Sequence, residues 1–379
     1  MRAYKYRFYP NDEQKENLAQ TFGCVRVVYN IMLHYRQQAF YEHGEKLNYH
    51  DTSYLLTLLK NHEEYSWLKD VSSVPLQQSL RHLQTAYQNF FAGRAKYPNF
   101  KKKLSKQSAT YASSAFTWDG ENLKLAKHKR PLKIKWSRLF SGKPSTVTVS
   151  KDASDRYFVS ILVDEAIELK PFVKSEIGID LGLKDFAITS NAEKFSHPKF
   201  LAKYEKRLAL LQRRLSKKTK GSNNRYKARK KVARLHAKIA DTRRDFHHKL
   251  STKLVDENQI ICVETLAVKN MVKNRKLAKS ISDSGWGQFL SFLQYKSDWY
   301  GRTLVGIDRW YPSSKRCSCC GHTVESLPLD VRSWQCPECS TAHDRDINAA
   351  INIKAAGMAV LACGESVSRA DSISVCCSR

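Results

Sequence analysis

The chain has no run of eighteen apolar residues, and no apolar segment backs its first residues, Met-Arg-Ala-Tyr-Lys-Tyr-Arg-Phe-Tyr-Pro. The first absence excludes a membrane-spanning helix and the second a secretory leader. Acid is scarce too: 36 Asp and Glu stand against 65 Lys and Arg, a formal charge of +29 over 379 residues. An excess of that size, mixed with eighteen Tyr, sixteen Phe and seven Trp, is the footprint of a nucleic-acid binder rather than of a membrane-surface protein. Cysteine is not scarce. The ten cysteines are clustered and no leader precedes them, which points to a reducing cytoplasm. The length allows two or three separate cores.

What is present is concentrated between Cys317 and Ile353. Cys317/Cys320 and Cys336/Cys339 form two Cys-x-x-Cys knuckles with residues 321–335 between them. That spacing lets four thiolates close on one zinc ion as a structural site; a pair of redox dithiols is the other reading. Cys319 falls outside the pairing as a spare thiol. Seven residues after Cys339, Asp346 opens an apolar, Ala-rich helix carrying Ile347, Ala350, Ile351 and Ala355. Taken alone, an aspartate there reads as a helix cap.

Upstream, residues 2–9 alternate Tyr4, Tyr6 and Phe8 with Lys5 and Arg7, the pattern of a strand with one basic face. Pro10 ends it, and Asn11 with Gln14 makes a capping box for a helix. Gly23 is expected to break that helix in two. Further helices are expected at 51–60 and 75–95. The second sets Leu76, Leu80, Leu83, Tyr87 and Phe90 on one face. Its other face offers Gln77, Gln78, Arg81 and Gln84, which either reach base edges or are simply solvated. A basic link at 96–103 follows. From about 108 to 165 the period becomes two (Leu132/Ile134/Trp136, Val147/Val149, Tyr157/Val159/Ile161/Val163), which suggests a small antiparallel barrel. The strand at 2–9 is expected to join it.

At 176–190 an apolar strand ends in Asp180 before a glycine-bearing turn. Ribonuclease H-like nucleases and actin-type ATPases both use such a strand. The ATPases need later Asp-x-Gly phosphate loops, and none follows. Residues 199–254 read as a helical hairpin broken near Gly221, with thirteen Lys or Arg and one acid, Glu205, between Lys203 and Lys231. So lopsided a run indicates phosphate contact rather than a merely solvated face. Gln259–Leu266 reads as a buried strand containing Glu264, and Thr303–Ile307 as another. Beyond about 361 periodicity is lost, and Cys376 and Cys377 receive no metal assignment. Asp180, Glu264 and Asp346 thus stand where strands end or a helix begins. Carboxylates that converge there suit two Mg²⁺ or Mn²⁺ ions, which can drive phosphodiester hydrolysis.

Asp180 in Gly-Ile-Asp-Leu-Gly and Glu264 in Val-Glu-Thr-Leu are joined by Ser-Ser-Lys-x-Cys-Ser-x-Cys-Gly at 313–321 and by Trp-x-Cys-x-x-Cys before His-Asp-Arg-Asp-Ile-Asn-Ala-Ala-Ile-Asn-Ile. Together these resemble TnpB, the transposon-encoded RNA-guided DNA endonucleases related to type V CRISPR effectors, over roughly residues 1–360. The resemblance implies an α/β RuvC or ribonuclease H-like nuclease domain with a zinc-ribbon insert, preceded by a wedge-type antiparallel barrel that a helical recognition domain interrupts. It divides the chain into a first wedge strand (1–10), the recognition domain (11–107) and the rest of the barrel (108–172). The nuclease domain follows at 173–309, then the target-binding zinc ribbon (310–340), the last nuclease helix (341–360) and a disordered tail (361–379). It implies catalytic, Mg²⁺-binding Asp180, Glu264 and Asp346, with Asp344 the neighbour to tell apart, and zinc on Cys317, Cys320, Cys336 and Cys339. Ser73, Gln77 and Arg81 would then read a short motif, and Arg213, Arg214, Lys217 and Lys218 would meet nucleic-acid phosphates. Its partners would be a guide RNA from the transposon end and double-stranded target DNA, with a monomeric protein acting in a bacterial or archaeal cytoplasm on the nucleoid. A guided repressor that does not cut and a DNA transposase remain as alternatives.

Overall fold

The alternation at the N-terminus builds strand β1 (Arg2–Phe8), which buries Tyr4, Tyr6 and Phe8. Lys5 and Arg7 turn the opposite way, as pleating requires, and both lie over the Phe158 ring, at 4.4 and 5.2 Å. The computed structural model that provides these coordinates describes residues 1–328 and 330–363. The predicted start of the tail is displaced, because helix reaches Ala362; the rest of that segment, with Cys376 and Cys377, lies outside the described residues. The chain forms two compact units, Met1–Ala166 and Ile167–Arg379.

In the first unit Asn11 accepts a hydrogen bond from the Gln14 amide at 2.8 Å, and the Gln14 side chain accepts from Asn11 N–H at 3.2 Å. The helix that starts there, α1 (Asp12–His43), runs unbroken for 32 residues to Gly44, so the expected break at Gly23 does not occur. A glycine inside a helix costs only about 1 kcal/mol. Burial of Leu18, Phe22, Val25, Val28 and Met32 on either side outweighs it. Next come α2 (Tyr49–Asn61), a 3-10 segment at Glu63–Lys69, and α3 (Ser73–Phe91).

The remaining strands of this unit are β2 (Gln107–Ala112), β3 (Phe116–Trp118), β4 (Leu123–Leu125), β5 (Ile134–Lys135), β6 (Pro144–Lys151) and β7 (Tyr157–Val163). β3 and β4 form a separate hairpin, and the others form an antiparallel sheet in the order β2-β6-β7-β1-β5. β1 pairs with β7 from Arg2↔Val163 to Phe8↔Tyr157, so α1 to α3 lie between two strands of one sheet. The strand expected around Leu132, Ile134 and Trp136 shrinks to two residues, because Trp136 packs edge-on against Tyr6 and Trp118, at 4.9 and 5.4 Å, rather than extending a ladder.

The second unit begins with β8 (Glu176–Asp180), β9 (Asp185–Thr189) and β10 (Lys194–Ser196), followed by the helices α4 (Glu205–Ser216) and α5 (Asn223–Glu257). Leu208 of α4 and Leu235 and Ile239 of α5 share a small core with Phe200, which holds the pair together. β11 (Ile260–Glu264), α6 (Val268–Met271), α7 (Ala278–Ser284), α8 (Trp286–Tyr300) and β12 (Thr303–Ile307) come next. Then β13 (Ser333–Gln335) pairs with β14 (Ala342–Asp344), and α9 (Arg345–Ala362) follows at once. The ribbon hairpin therefore crosses the boundary expected at 340, because β14 is the strand that leads directly into the last helix.

The sheet order is β10-β9-β8-β11-β12, antiparallel among the first three and parallel from β8 to β12. Parallel strands are covered on both faces. Ile177, Ile179, Ile261 and Val263 pack with Leu250 and Leu254 of α5 and with Trp286, Phe289 and Leu293 of α8. On the other face Cys262, Val305 and Ile307 pack against Ile353 of α9. That helix lies close to the sheet. A Cβ on Gly178 would overlap the Ala350 carbonyl and stand 2.6 Å from Lys354 N, and one on Gly357 would stand 2.8 Å from Cys262 Cβ. Overpacking of this kind costs about 1–3 kcal/mol or more. Gly178→Ala should therefore lower the melting temperature of this unit by several degrees in calorimetry. Gly287→Ala, where nothing lies within 4 Å, should leave it unchanged or slightly raised. Equal melting of both variants would contradict the close approach.

Candidate active site and metal centre

Side chains alternate along a strand, so Gly178 and Asp180 share one face of β8, and Cys262 and Glu264 share one face of β11. Both are the face that α9 covers, since Gly178 meets Ala350 and Cys262 meets Gly357. The register Gly178↔Cys262 and Ile179↔Val263 sets Asp180 beside Glu264 one step on. Asp346 precedes Ala350 by one helical turn, about the distance that separates Asp180 from Gly178. The three carboxylates therefore lie toward the same carboxyl edge of the sheet, near enough to interact through their charges. Their proximity is visible in the titration of Asp180. Burial, then the charges of Glu264 and Asp346, push its carboxyl up to about 7, against weaker opposition from Arg345 and Arg332.

Each remaining acid has a distinct neighbour. Glu264 Oε1 accepts the Ser313 hydroxyl at 2.5 Å. Asp346 faces Arg332 Nη1 at 3.2 and 3.4 Å. The capping role considered for Asp346 belongs to Asp344. Asp344 Oδ1 accepts the backbone N–H groups of Asp346 and Ile347 at 3.0 and 3.1 Å, and its other oxygen pairs with Lys194 at 2.6 Å. Asp344 is thus occupied on both oxygens, and Asp346 is the one turned to the other acids. A buried carboxyl driven upward by two like charges is a donor set suited to a hard divalent cation.

Residues that the motif reading passed over hold this edge together. Asn348 donates to Arg316 O at 2.7 Å and accepts from Ser318 N–H at 3.0 Å. Asn352, one turn along, donates to Ser313 O at 2.9 Å and Arg316 O at 2.6 Å. α9 thereby clamps the segment that enters the first knuckle, and the same segment supplies Ser313 to Glu264. The i, i+4 spacing of these asparagines was the available signal. Arg345, also buried, donates to Pro328 O at 2.5 Å, while its N–H donates to Arg332 O at 2.8 Å.

In the ribbon the four sulfurs of Cys317, Cys320, Cys336 and Cys339 lie within 4.8 Å of one another. Cys317–Cys339 and Cys320–Cys336 are each separated by 3.6 Å. Four ligands at about 2.3 Å in a tetrahedron stand about 3.8 Å apart, so the residues fit zinc. The knuckles are built alike: Gly321 N–H donates to Cys317 O at 3.0 Å and Ser340 N–H to Cys336 O at 2.9 Å. Both turns need a left-handed residue, Gly321 at φ +82° and Ser340 at φ +56°. His343 Nε2 reaches Cys317 Sγ at 3.0 Å and Thr341 Oγ1 reaches Cys339 Sγ at 3.2 Å, outer contacts of the kind that orient metal ligands. Cys319 is exposed and outside the cluster.

Ser73, Gln77 and Arg81 form one exposed stripe on α3 at i, i+4 and i+8, with Arg81 stacked over Tyr49 at 4.7 Å. Gln84 accepts from Arg36 at 2.8 Å. Arg213, Arg214, Lys217 and Lys218 are all exposed around the end of α4.

Two outcomes follow from this geometry. The carboxyl of Asp180 rises from 3.8 to about 7 on folding, so folding favours its protonated form. The resulting penalty is absent below about pH 4, grows with pH and is complete above about 7. In metal-free protein Asp180→Asn should melt roughly 5 °C above wild type at pH 8 and level with it at pH 4; an equal offset at both would contradict the shift. Elemental analysis should find zinc lost from Cys336→Ser and retained by Cys319→Ser. Equal loss in both would mean that the ligands are misassigned.

Three family descriptions match the chain: "Probable transposase" over residues 158–275, "Cas12f1-like, TNB domain" over 286–353 and "Helix-turn-helix domain" over 1–45. The last of these spans β1 and the single helix α1. A protein of Streptomyces pristinaespiralis named "Putative RNA-guided DNA endonuclease" is 53% identical over 97% of this chain and 92% of its own length. InsQ of Escherichia coli K12, named likewise, is 35% identical over 97% and 95%. The solved Cas12f1-sgRNA-target DNA complex matches the fold at a TM-score of 0.58 and 15% identity, over 91% of this chain and 83% of that one. By its likeness to full-length relatives, this chain belongs to the TnpB family.

Proposed function

We propose that this protein is an RNA-guided DNA endonuclease of an insertion sequence. In this reading a guide RNA from the transposon end selects the target, a short adjacent motif licenses it, and the second unit cuts as a RuvC-like nuclease. The observation that carries the proposal is the convergence of Asp180, Glu264 and Asp346 on the one face of the sheet that α9 covers. Asp180, Glu264 and Asp346 would hold Mg²⁺ or Mn²⁺. Two such ions, when bound, supply activation of water and stabilisation of the departing 3′ oxygen. Ser313 fixes the rotamer of Glu264, Asp344 sets the first turn that carries Asp346, and the clamp of Asn348 and Asn352 keeps the ribbon entry in register with both. Zinc on the four cysteines would make that entry rigid.

The first unit would act as a wedge barrel with a helical recognition insert, in which Ser73, Gln77 and Arg81 read the motif. Arg213, Arg214, Lys217 and Lys218 would meet phosphates of the guide or the target. The acting particle would be a monomeric protein with its RNA, working on nucleoid DNA in the cytoplasm. Retention of all three acids argues against a silent repressor. A strand-transfer assay on transposon ends separates cutting from the joining that a transposase performs.

Alanine at Asp180, Glu264 or Asp346 should abolish Mg²⁺-dependent cleavage by the ribonucleoprotein while target binding persists, because no phosphate-contacting cation is lost. Cleavage lost in Asp344→Asn but kept in Asp346→Ala would exchange the two roles. Reversing the charge of Arg213, Arg214, Lys217 and Lys218 should weaken binding to any sequence. It should also reduce the slope of log K against log salt by up to about 0.9 per duplex phosphate contact removed. An unchanged slope would return the hairpin to an ordinary solvated surface.

A further inference from the structure

Trp310 is the one large apolar side chain left exposed among the described residues from Thr303 to Cys363, at 78%. Its place is specific. Glu264 pairs with Ile307 across β11 and β12, and Ser313 returns to the Glu264 carboxylate, so Trp310 sits midway in the short loop that leaves and re-enters the acid edge. The loop is tightly built. Asp308 Oδ1 accepts Trp310 N–H at 2.7 Å, Tyr311 N–H donates to Asp308 O at 3.3 Å, and Ser313 N–H to Tyr311 O at 2.8 Å. Tyr311 packs inward against the Cys262, Val305 and Ile307 core, which leaves the neighbouring indole outward. The Arg309 guanidinium lies over that indole at 4.5 Å.

We propose that Trp310 is a stacking platform for a base of the target strand next to the scissile phosphate; this rests on the endonuclease reading above. An indole fixed in the open beside a cluster of acids has two physical uses, burial in a protein interface or stacking on another flat ring. A protein interface needs a contiguous apolar patch. Trp310 instead has Asp308, Arg309 and Pro312 as its exposed neighbours and Arg316 a few residues on. An aromatic ring backed by a guanidinium is the device that grips single-stranded nucleic acid without regard to sequence. A base held there would fix the backbone torsions of the adjoining phosphate against Asp180 and Glu264, which is a positioning role and not a catalytic one.

The test uses the ribonucleoprotein purified with its co-expressed transposon-end RNA, and target DNA carrying one abasic site at each position around the cut in turn. Trp310→Ala should slow cleavage of intact target on the order of tenfold, and Trp310→Phe should restore most of the rate. At one abasic position wild type should fall to the rate of Trp310→Ala, and the variant should lose nothing further. Full activity in Trp310→Ala, or additive losses at every position, would overturn the platform. In an Asp180→Ala background, 2-aminopurine at that position should be quenched and should recover its fluorescence when Trp310→Ala is added. That readout needs no cleavage. Quenching in a complex whose wild type never cuts would sink the endonuclease reading and keep the platform. Unquenched 2-aminopurine at every position would sink the platform alone.

Discussion

The structure of the second unit depends on how closely α9 lies on the sheet. Gly178 has no side chain, so the backbone of α9 rests directly on β8 at Ala350 and Lys354, and Gly357 does the same for Cys262. Close contact at those points fixes where the first turn of the helix falls. Because strand side chains alternate and helix side chains repeat by the turn, that one contact sets Asp346 opposite Asp180 and Glu264. Any residue larger than glycine at 178 would lift the helix and separate the acids before it altered a single one of them.

The four-cysteine ribbon is tied to the same contact through hydrogen bonds rather than through apolar packing. Asn348 and Asn352 bind the carbonyls of Ser313 and Arg316, Arg345 binds the loop before β13, and the Ser313 hydroxyl donates a hydrogen bond to Glu264. β14 then runs into α9 without a linker, and Asp344 caps the helix while holding Lys194. Zinc on the four sulfurs would impose one tetrahedral geometry, and its rigidity would pass along these bonds to two of the three acids. Electrostatics oppose the arrangement. Burial first, and then repulsion among the three carboxylates, push Asp180 upward, while Arg345 and Arg332 oppose the shift. The site is built at a cost to stability that a divalent cation would relieve.

Much of this was legible in the chain. The two knuckles, the strand ends at Asp180 and Glu264, and the apolar stripe of α3 follow from spacing and period, which survive folding unchanged. Gly23 misled because one glycine is a weak local signal against the burial of Phe22 and Val25. Trp136 misled because an aromatic in alternation can serve packing instead of a ladder. The roles of Ser313, Asn348, Asn352 and His343 were not legible, since each acts on a partner far along the chain through one hydrogen bond, and no period records that. The resemblance implied Asp346 rather than Asp344, and the structure adds the physical difference: one Asp344 oxygen caps the helix and the other pairs with Lys194.

The central claim is that three carboxylates form one site for a pair of divalent cations. Electron paramagnetic resonance of the protein titrated with Mn²⁺ tests it most directly. The account predicts that two ions bind per chain and give an exchange-coupled spectrum, which Asp180→Asn reduces to that of isolated ions or removes. A spectrum of uncoupled Mn²⁺ in wild type, unaltered by that substitution, would contradict it.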